Sequence, residues 1–327
     1  MIKIDAHQEV EEIVHQIDAF IGHLPEPLKS LGGEFASTGY PYRTAFLNND
    51  LAFPGLLLPF WVAQKYETHV PDPVLFLERV QKIVRAALLG YLYIRIQDDI
   101  YDHKEGHNPV MLLLANEFIR ECFQIDYELF PAHSNFWRYF RTAWLDFSQA
   151  TAWEIKNCRG KIRPLVADEL LMEGKKLAFA KVPVAAVLLM ANQEQDLPCL
   201  SRIIDLLATS SQLLNDFGSL ERDLKTQHFT HPLSQSLEFE DANSSANLGD
   251  VFFERLLRKT SLEDLFQKVV ELDDRVLRLL ESFSLPSLVL FLEGRTREVK
   301  EIRERYLKLK LQSLLGVGRG DAVSIEH

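Results

Sequence analysis

Along nearly every long segment of this chain, apolar residues recur at i, i+3, i+4 and i+7. No segment alternates apolar and polar residues between tight turns. The helical period is clearest in "DPVLFLERVQKIVRAALLGYLYIRIQDDIYD", "DELLMEGKKLAFAKVPVAAVLLMANQ", "PCLSRIIDLLATSSQLLNDFGSLERDLK", "FFERLLRKTSLEDLFQKVVELDDRVLRLLESF" and "SLVLFLEGRTREVKEIRERYLKLKLQ". Several of these are apolar nearly all round, as a helix surrounded by other helices must be. Breaks rich in Pro, Gly and polar residues separate them at "LPEPLKSLGGEFASTGYPYR", "HKEGHNP", "CRGKIRP" and "HPLSQSLEFEDANSSANLGD". No repeat of solenoid period is present. The expected fold is all-α, a single domain over 1–327 built as a bundle of long helices. Residues 1–45 are expected as a peripheral N-terminal segment and 232–250 as a surface loop.

Charge and length then exclude several functions. A net charge of −11 argues against a partner bound by phosphate neutralisation along a nucleic acid, although it leaves room for a local basic pocket. No uncharged apolar run approaches the roughly 18 residues a membrane span requires. The three cysteines, Cys122, Cys158 and Cys199, are widely spaced and form neither a disulfide framework nor a CxxC pair. The stretch "MIKIDAHQEVEEIVHQ" is charged and lacks the apolar core of a secretory signal. A cytoplasmic protein with no nucleic-acid partner and no membrane span is expected.

Against that background "QDDIYDHKEG" stands out, because it places Asp98, Asp99 and Asp102 within five residues directly after an apolar run. Gly and Pro shortly afterwards end the helix there. On a helix Asp98 and Asp102 share a face one turn apart, with Asp99 beside them, and the same face runs back through Arg95, Ile94 and Tyr91. Clustered carboxylates need a positive partner, either a basic side chain or a cation. Oxygen donors of this kind suit Mg²⁺, which retains waters and takes phosphate oxygens as further ligands. A solvated acidic helix end would carry the same residues.

A second constellation, "SQLLNDFGSLERDLK", spaces Asn215, Ser219 and Asp223 at i, i+4 and i+8, with Asp216 adjacent. Asn and Ser are poor helix-interior residues because they compete for backbone hydrogen bonds. In step with an acid they read as an oxygen-bearing face, or alternatively as a turn that interrupts the helix. Two such faces on two long helices would make opposing sides of one metal–diphosphate site.

The pair of motifs resembles those of the class I isoprenoid synthases. "DDIYD" matches the family's DDxxD at Asp98, Asp99 and Asp102. "NDFGSLERD" matches the terpene-cyclase motif Asn/Asp-Asp-x-x-Ser/Thr-x-x-x-Glu at Asn215, Asp216 and Ser219, with Asp223 in place of Glu. Gln212 is similar to the Gln that opens the second motif of chain-elongating trans-prenyltransferases. Arg305-Tyr306 resembles the C-terminal Arg-Tyr pair of terpene cyclases that binds diphosphate. Lys181 resembles the lysine of the elongating enzymes' Lys-Thr motif, and Arg43 lies where those enzymes have Gly-Lys-Arg.

The resemblance implies a helical bundle around a central cavity and an allylic isoprenoid diphosphate substrate. It implies three Mg²⁺ held by Asp98, Asp99, Asp102, Asn215, Ser219 and Asp223, and it admits a homodimer. Lys181, Arg163, Arg305 and Tyr306 are then candidates for the diphosphate. Tyr91, Ile94, Phe217 and Gln212 are candidates for the substrate pocket. The activity implied first is a terpene synthase, a Mg²⁺-dependent lyase that ionises the diphosphate and cyclises or quenches the carbocation, with catalysis resting on Asp98, Asp99, Arg305 and Tyr306. A trans-prenyltransferase is the alternative, although "DHKEGHN" offers only His103 and Lys104 where that class has paired arginines. A helical isoprenoid-binding protein without turnover is the third reading.

Overall fold

The long periodic segments are helical, three of the five interrupted once: by a 3₁₀ turn at Lys175–Ala180, at Ser219, and at Lys259 and Thr260. The structure, a computed structural model, describes residues 4–39, 51–102, 108–238 and 248–314. Its spine is α4 (Pro73–Asp102), a helix of 30 residues. Val80, Val84, Leu88, Leu89 and Leu92 along it are completely buried. Each such side chain contributes roughly 1.5–3 kcal/mol by leaving water, which is why a helix apolar nearly all round sits at the centre. Against α4 lie α5 (Val110–Leu129), α1 (Ala6–His23) and α3 (Leu58–Tyr66), while the short α2 (Leu28–Glu34) rests on α1 and α5.

On the other side of the spine, α6 (Phe136–Asn157) packs on a 3₁₀ turn, Lys175–Ala180, which separates α7 (Ala167–Gly174) from α8 (Lys181–Met190). The second long buried helix, α9 (Leu197–Gly218), is flanked by α7 and by α13 (Ser261–Ser282). The chain then returns through α14 (Pro286–Leu314). Among the described residues there is no strand, only an isolated antiparallel bridge between Arg159 and His228.

Two expectations about the periphery change. The N-terminal segment is a layer of the core: Val10, Ile13, Val14, Ile17 and Ile21 recur on one face of α1 and are all buried. Asp5 starts that helix by accepting from the backbone N–H groups of His7 and Gln8, a cap worth about 1 kcal/mol. The segment expected as a surface loop at 232–250 begins instead inside a short helix, α11 (His231–Ser236), with Pro232 in its first turn. Leu233 and Leu237, one turn apart, are buried. Helix returns with α12 (Leu248–Arg258), and residues 239–247 lie outside the described residues.

Two contacts fix how the helices beside the spine meet. Gly174 lies against the backbone of Thr209 on α9, where a Cβ would fall 2.9 Å from its Cα and 2.3 Å from its Oγ1. Arg295 on α14 is completely buried and pairs with Asp273 on α13, Nε to Oδ2 at 3.2 Å. Its Nη1 donates to Ser211 Oγ at 2.9 Å and its Nη2 donates to Ser210 Oγ, so one guanidinium ties α9, α13 and α14 together.

Candidate functional site

The C-terminal ends of α4 and α9 flank one cavity of about 640 Å³. Its interior is apolar and aromatic. Ala87, Tyr91 and Ile94 come from α4, Phe147 from α6, Phe179 and Pro183 from the α7–α8 region, Leu214 and Phe217 from α9, Leu51, Phe53 and Leu56 from the chain before α4, and Ile302 from α14. Phe179 packs into a space that only Gly90 leaves open, because a Cβ there would meet its ring at 2.4 Å. Charged and hydrogen-bonding groups line the same cavity: Arg95, Asp98, Lys176, Gln212, Asn215, Ser219 and Arg222. Such a lining suits a ligand with a long apolar body and an anionic head. Tyr91, Ile94, Phe217 and Gln212, expected in the pocket from sequence, all line it.

The first motif meets positive partners from its own helix and from the turn before α8. Arg95 reaches Asp98 Oδ2 with Nη1 at 2.9 Å and Asp99 Oδ1 with Nη2 at 3.0 Å. Lys176 Nζ stands 3.5 Å from Asp98 Oδ1 and 2.7 Å from Glu154 Oε2. Asp102 is the last residue of α4, and its side chain is outside the described residues. The 3₁₀ turn Lys175–Ala180 aims Lys176 at the cavity. Glu154, buried on α6, anchors it from below. Burial alone would raise the Glu154 carboxyl, but Lys176 and His228, whose Nε2 lies 3.3 Å away, outweigh it and hold the group down at about 2.

The second motif divides. Asn215 and Ser219 line the cavity opposite Asp98. Ser219 ends α9, and a new short helix, α10 (Leu220–Lys225), begins after it. The expected single face through Asp223 is therefore interrupted. Asp223 turns inward, accepts from Ser219 Oγ, and is buried with Arg222 Nε 3.4 Å and His228 Nδ1 4.0 Å away. Asp216 points into the protein and accepts from Gln212 Nε2 at 2.8 Å, its carboxyl pushed up to about 7 by burial. Glu173, which accepts from Cys158 Sγ, is also raised by burial, with Asp216 and Glu154 adding repulsion.

As for metal, Asp98, Asn215 and Ser219 supply hard oxygen donors from both walls, and that donor set fits Mg²⁺. Among the described residues no group of three or more His, Cys, Asp or Glu side chains is ready-made to hold a cation. Remaining ligands would have to come from water and from phosphate oxygens.

The expected diphosphate ligands lie elsewhere. Lys181 pairs with Asp205 at 2.6 Å, and Arg163 forms a two-pronged bridge to Glu169 at 2.8 and 2.9 Å. Arg305 is exposed, and the Tyr306 hydroxyl donates to the Leu256 carbonyl at 3.2 Å. None of the four lines the cavity. On α14 the lining residue is Ile302, one turn earlier. Arg43, His103 and Lys104 fall outside the described residues. Sequence reasoning did not single out Lys176, Glu154, Arg222 or His228. For Lys176 a signal existed, since Gly174 followed by two lysines marks a helix break with a cation at its lip.

No protein-family model and no curated protein sequence matches the chain. Solved structures do. A polyprenyl synthase from Roseobacter denitrificans superposes with a TM-score of 0.67 at 12% identity, covering 90% of this chain and 95% of that one. An octaprenyl pyrophosphate synthase from Helicobacter pylori gives 0.63 at 12% identity, covering 89% and 98%. A geranylgeranyl pyrophosphate synthetase from Pyrococcus horikoshii gives 0.61 at 15% identity, covering 90% and 97%. The all-α isoprenoid synthase fold is thus shared across nearly the whole of both chains.

Proposed function

We propose that this chain acts on an allylic isoprenoid diphosphate with Mg²⁺ and transfers the prenyl group to a second substrate, as a trans-prenyltransferase does. The observation that carries the reading is the single cavity, apolar in its interior, where Asp98 faces Asn215 and Ser219 with Arg95, Lys176 and Arg222 among them. The isoprenyl chain would lie in the interior and the diphosphate among the charged groups. Asp98, Asp99 and Asp102 would hold metal from one wall and Asn215 and Ser219 from the other, with Asp223 joining once its bond to Ser219 opens. Bound Mg²⁺ supplies a Lewis acid that neutralises charge on the leaving diphosphate.

This chain's own residues do the rest. Lys176 and Arg222 offer N–H donors to phosphate oxygens as negative charge develops, an effect strengthened where water is excluded. The aliphatic walls exclude that water. The ring faces of Tyr91, Phe147 and Phe179 favour a cation in the cavity, each by roughly 0.5–2 kcal/mol.

Prenyl transfer is placed ahead of cyclisation for two reasons. The similar solved structures are a polyprenyl synthase, an octaprenyl pyrophosphate synthase and a geranylgeranyl pyrophosphate synthetase. The Arg305-Tyr306 pair, which favoured a terpene synthase, lies away from the cavity. Asn215 and Ser219, in the places where elongating enzymes have aspartates, keep the lyase as a second reading. Incubation with Mg²⁺ and geranyl, farnesyl or geranylgeranyl diphosphate, with and without isopentenyl diphosphate, tests both. A longer diphosphate formed only with the second substrate supports transfer, and a hydrocarbon or alcohol formed without it supports the lyase. Binding with no product in any mixture supports the non-catalytic reading and removes both enzymes.

A further inference from the structure

Deeper than the charged groups, α9 presents to the cavity one polar side chain whose bonding is half spent. Ser211 lines the cavity one turn before Asn215, about 6 Å along the helix axis. Its Oγ accepts from Arg295 Nη1 at 2.9 Å. Arg295 is completely buried, so no solvent competes for that bond. Ser210 meets the same guanidinium with a different outcome. It accepts from Arg295 Nη2 and passes its own proton to Asp273 Oδ1 at 2.6 Å. Ser210 is therefore satisfied as both acceptor and donor, and it does not line the cavity.

Ser211 has no such outlet. Among the described residues no acceptor takes its proton. Thr209, two residues earlier, turns its hydroxyl back to the Asp205 carbonyl at 2.8 Å, the usual refuge of a hydroxyl on a helix. Ser211, its oxygen held by Arg295, makes no such back-bond. The other hydroxyl of the lining serines is committed, since Ser219 donates to Asp223.

A donor left against hydrocarbon is a loss that a bound oxygen removes. A guanidinium on the lone pair also polarises the hydroxyl and makes it a stronger donor. The isoprenyl chain of an allylic diphosphate has no atom that can accept there, and its oxygens belong among the charged groups. We propose that Ser211, positioned by Arg295, binds an oxygen on the apolar body of the second substrate, so that the prenyl acceptor is a compound carrying a carbonyl or hydroxyl group. The inference rests on the functional reading above and narrows it. Isopentenyl diphosphate, whose oxygens are all on its diphosphate, would leave this donor empty.

Acetophenone and α-methylstyrene share one shape and differ only in C=O against C=CH₂, which makes them probes of the donor in the full chain. Infrared spectra read the contact directly, because a hydrogen bond lowers the carbonyl stretch below its value in hydrocarbon solvent. Acetophenone bound to wild type should show the lowered band, and Ser211→Ala should lose it. By calorimetry Ser211→Ala should weaken acetophenone about fivefold relative to α-methylstyrene, the scale of one neutral hydrogen bond. Ser210→Ala and Ser211→Thr should stay within about twofold of the wild-type ratio, since both keep the Ser211 or equivalent hydroxyl. Ser210→Ala also breaks a bond to Arg295, so a purely structural role would move the two alanine variants together. A wild-type chain that binds neither probe, or whose bound acetophenone keeps its hydrocarbon band, overturns the proposal, and this arm needs no variant to fold. A lowered band that persists in Ser211→Ala, or one probe ratio common to all four chains, overturns it as well. Farnesyl diphosphate with Mg²⁺ is titrated in parallel. Its binding alongside any of those results leaves the functional reading standing, whereas its failure to bind where the probes discriminate overturns that reading and the substrate class drawn from it.

Discussion

At the scale of the residue, environment separates carboxylates of identical chemistry. Asp98 stands in the cavity wall with two cations against it and has no part in the hydrophobic core. Asp98→Asn should lower turnover by two or more orders of magnitude with the melting temperature nearly unchanged. A folded Asp98→Asn protein with near-normal turnover would remove the metal-site reading. Asp126, buried on α5 far along the chain from both motifs, is the opposite case. Burial pushes its carboxyl up to about 7, only partly countered by the Cys122 thiol at 3.8 Å. The folded state then holds a proton that the unfolded chain has released above its ordinary value of 3.8. Stability must fall as pH rises from about 4 to about 7, by an amount on the order of 4 kcal/mol from this group. Asp126→Asn should flatten that slope, and urea melts at pH 5 and pH 8 would show it. An unchanged slope would mean that Asp126 is ionised in the fold. The two aspartates look alike in sequence. Asp98 was legible because its neighbours form a motif, whereas nothing local announced the burial of Asp126.

At the scale of the element, periodicity exposed the long helices well and their ends poorly. The face through Asn215 and Ser219 was legible because both side chains interrupt an apolar pattern. That Ser219 would end the helix and Asp223 turn inward was not, since Asp223 there meets His228, five residues further on, as well as its neighbour Arg222. The short helix His231–Ser236 was missed for a related reason, because six residues carry too little periodicity to separate a buried turn from a loop. Contacts between elements offer sharper tests. Gly174→Ala must push α7 away from the Thr209 backbone and should cost about 1–3 kcal/mol, tilting the adjacent Lys176 turn and lowering turnover with it. Arg295→Ala leaves Asp273 buried without its partner and should cost about 3–5 kcal/mol. An Arg295→Met, Asp273→Leu double variant should recover most of that loss. If single and double variants melted together, the ion pair would contribute nothing beyond packing.

At the scale of the whole molecule, one scaffold brings oxygen donors from two helices to a common cavity, Asp98 from one and Asn215 and Ser219 from the other, and sets cations among them, in a chain whose net charge is −11. The bundle and the first motif could be read from order and spacing along the chain. The cations could not, because Arg, Lys and solvated helix faces are common everywhere, and Lys181, Arg163 and Arg305 looked as suitable as Lys176. Which of them meets the ligand is decided by packing: α6 and the 3₁₀ turn hold Lys176 at Asp98, whereas Lys181 is neutralised by Asp205 and Arg305 faces solvent. Ligand that binds only the folded chain must raise its stability, by about 2.7 kcal/mol at a hundred times the dissociation constant. Melting curves with Mg²⁺, diphosphate, and both should show a rise with both that exceeds the sum of the separate rises. Lys176→Ala should diminish this excess, since it removes a donor already at the cavity wall. Arg305→Ala should leave it intact, because Tyr306 ties that turn of α14 to the Leu256 carbonyl with Arg305 outward. If Arg305→Ala abolished the excess while Lys176→Ala spared it, α14 would have to break that tie and swing inward when ligand binds, and the cations at the cavity would not be the ones that receive the diphosphate.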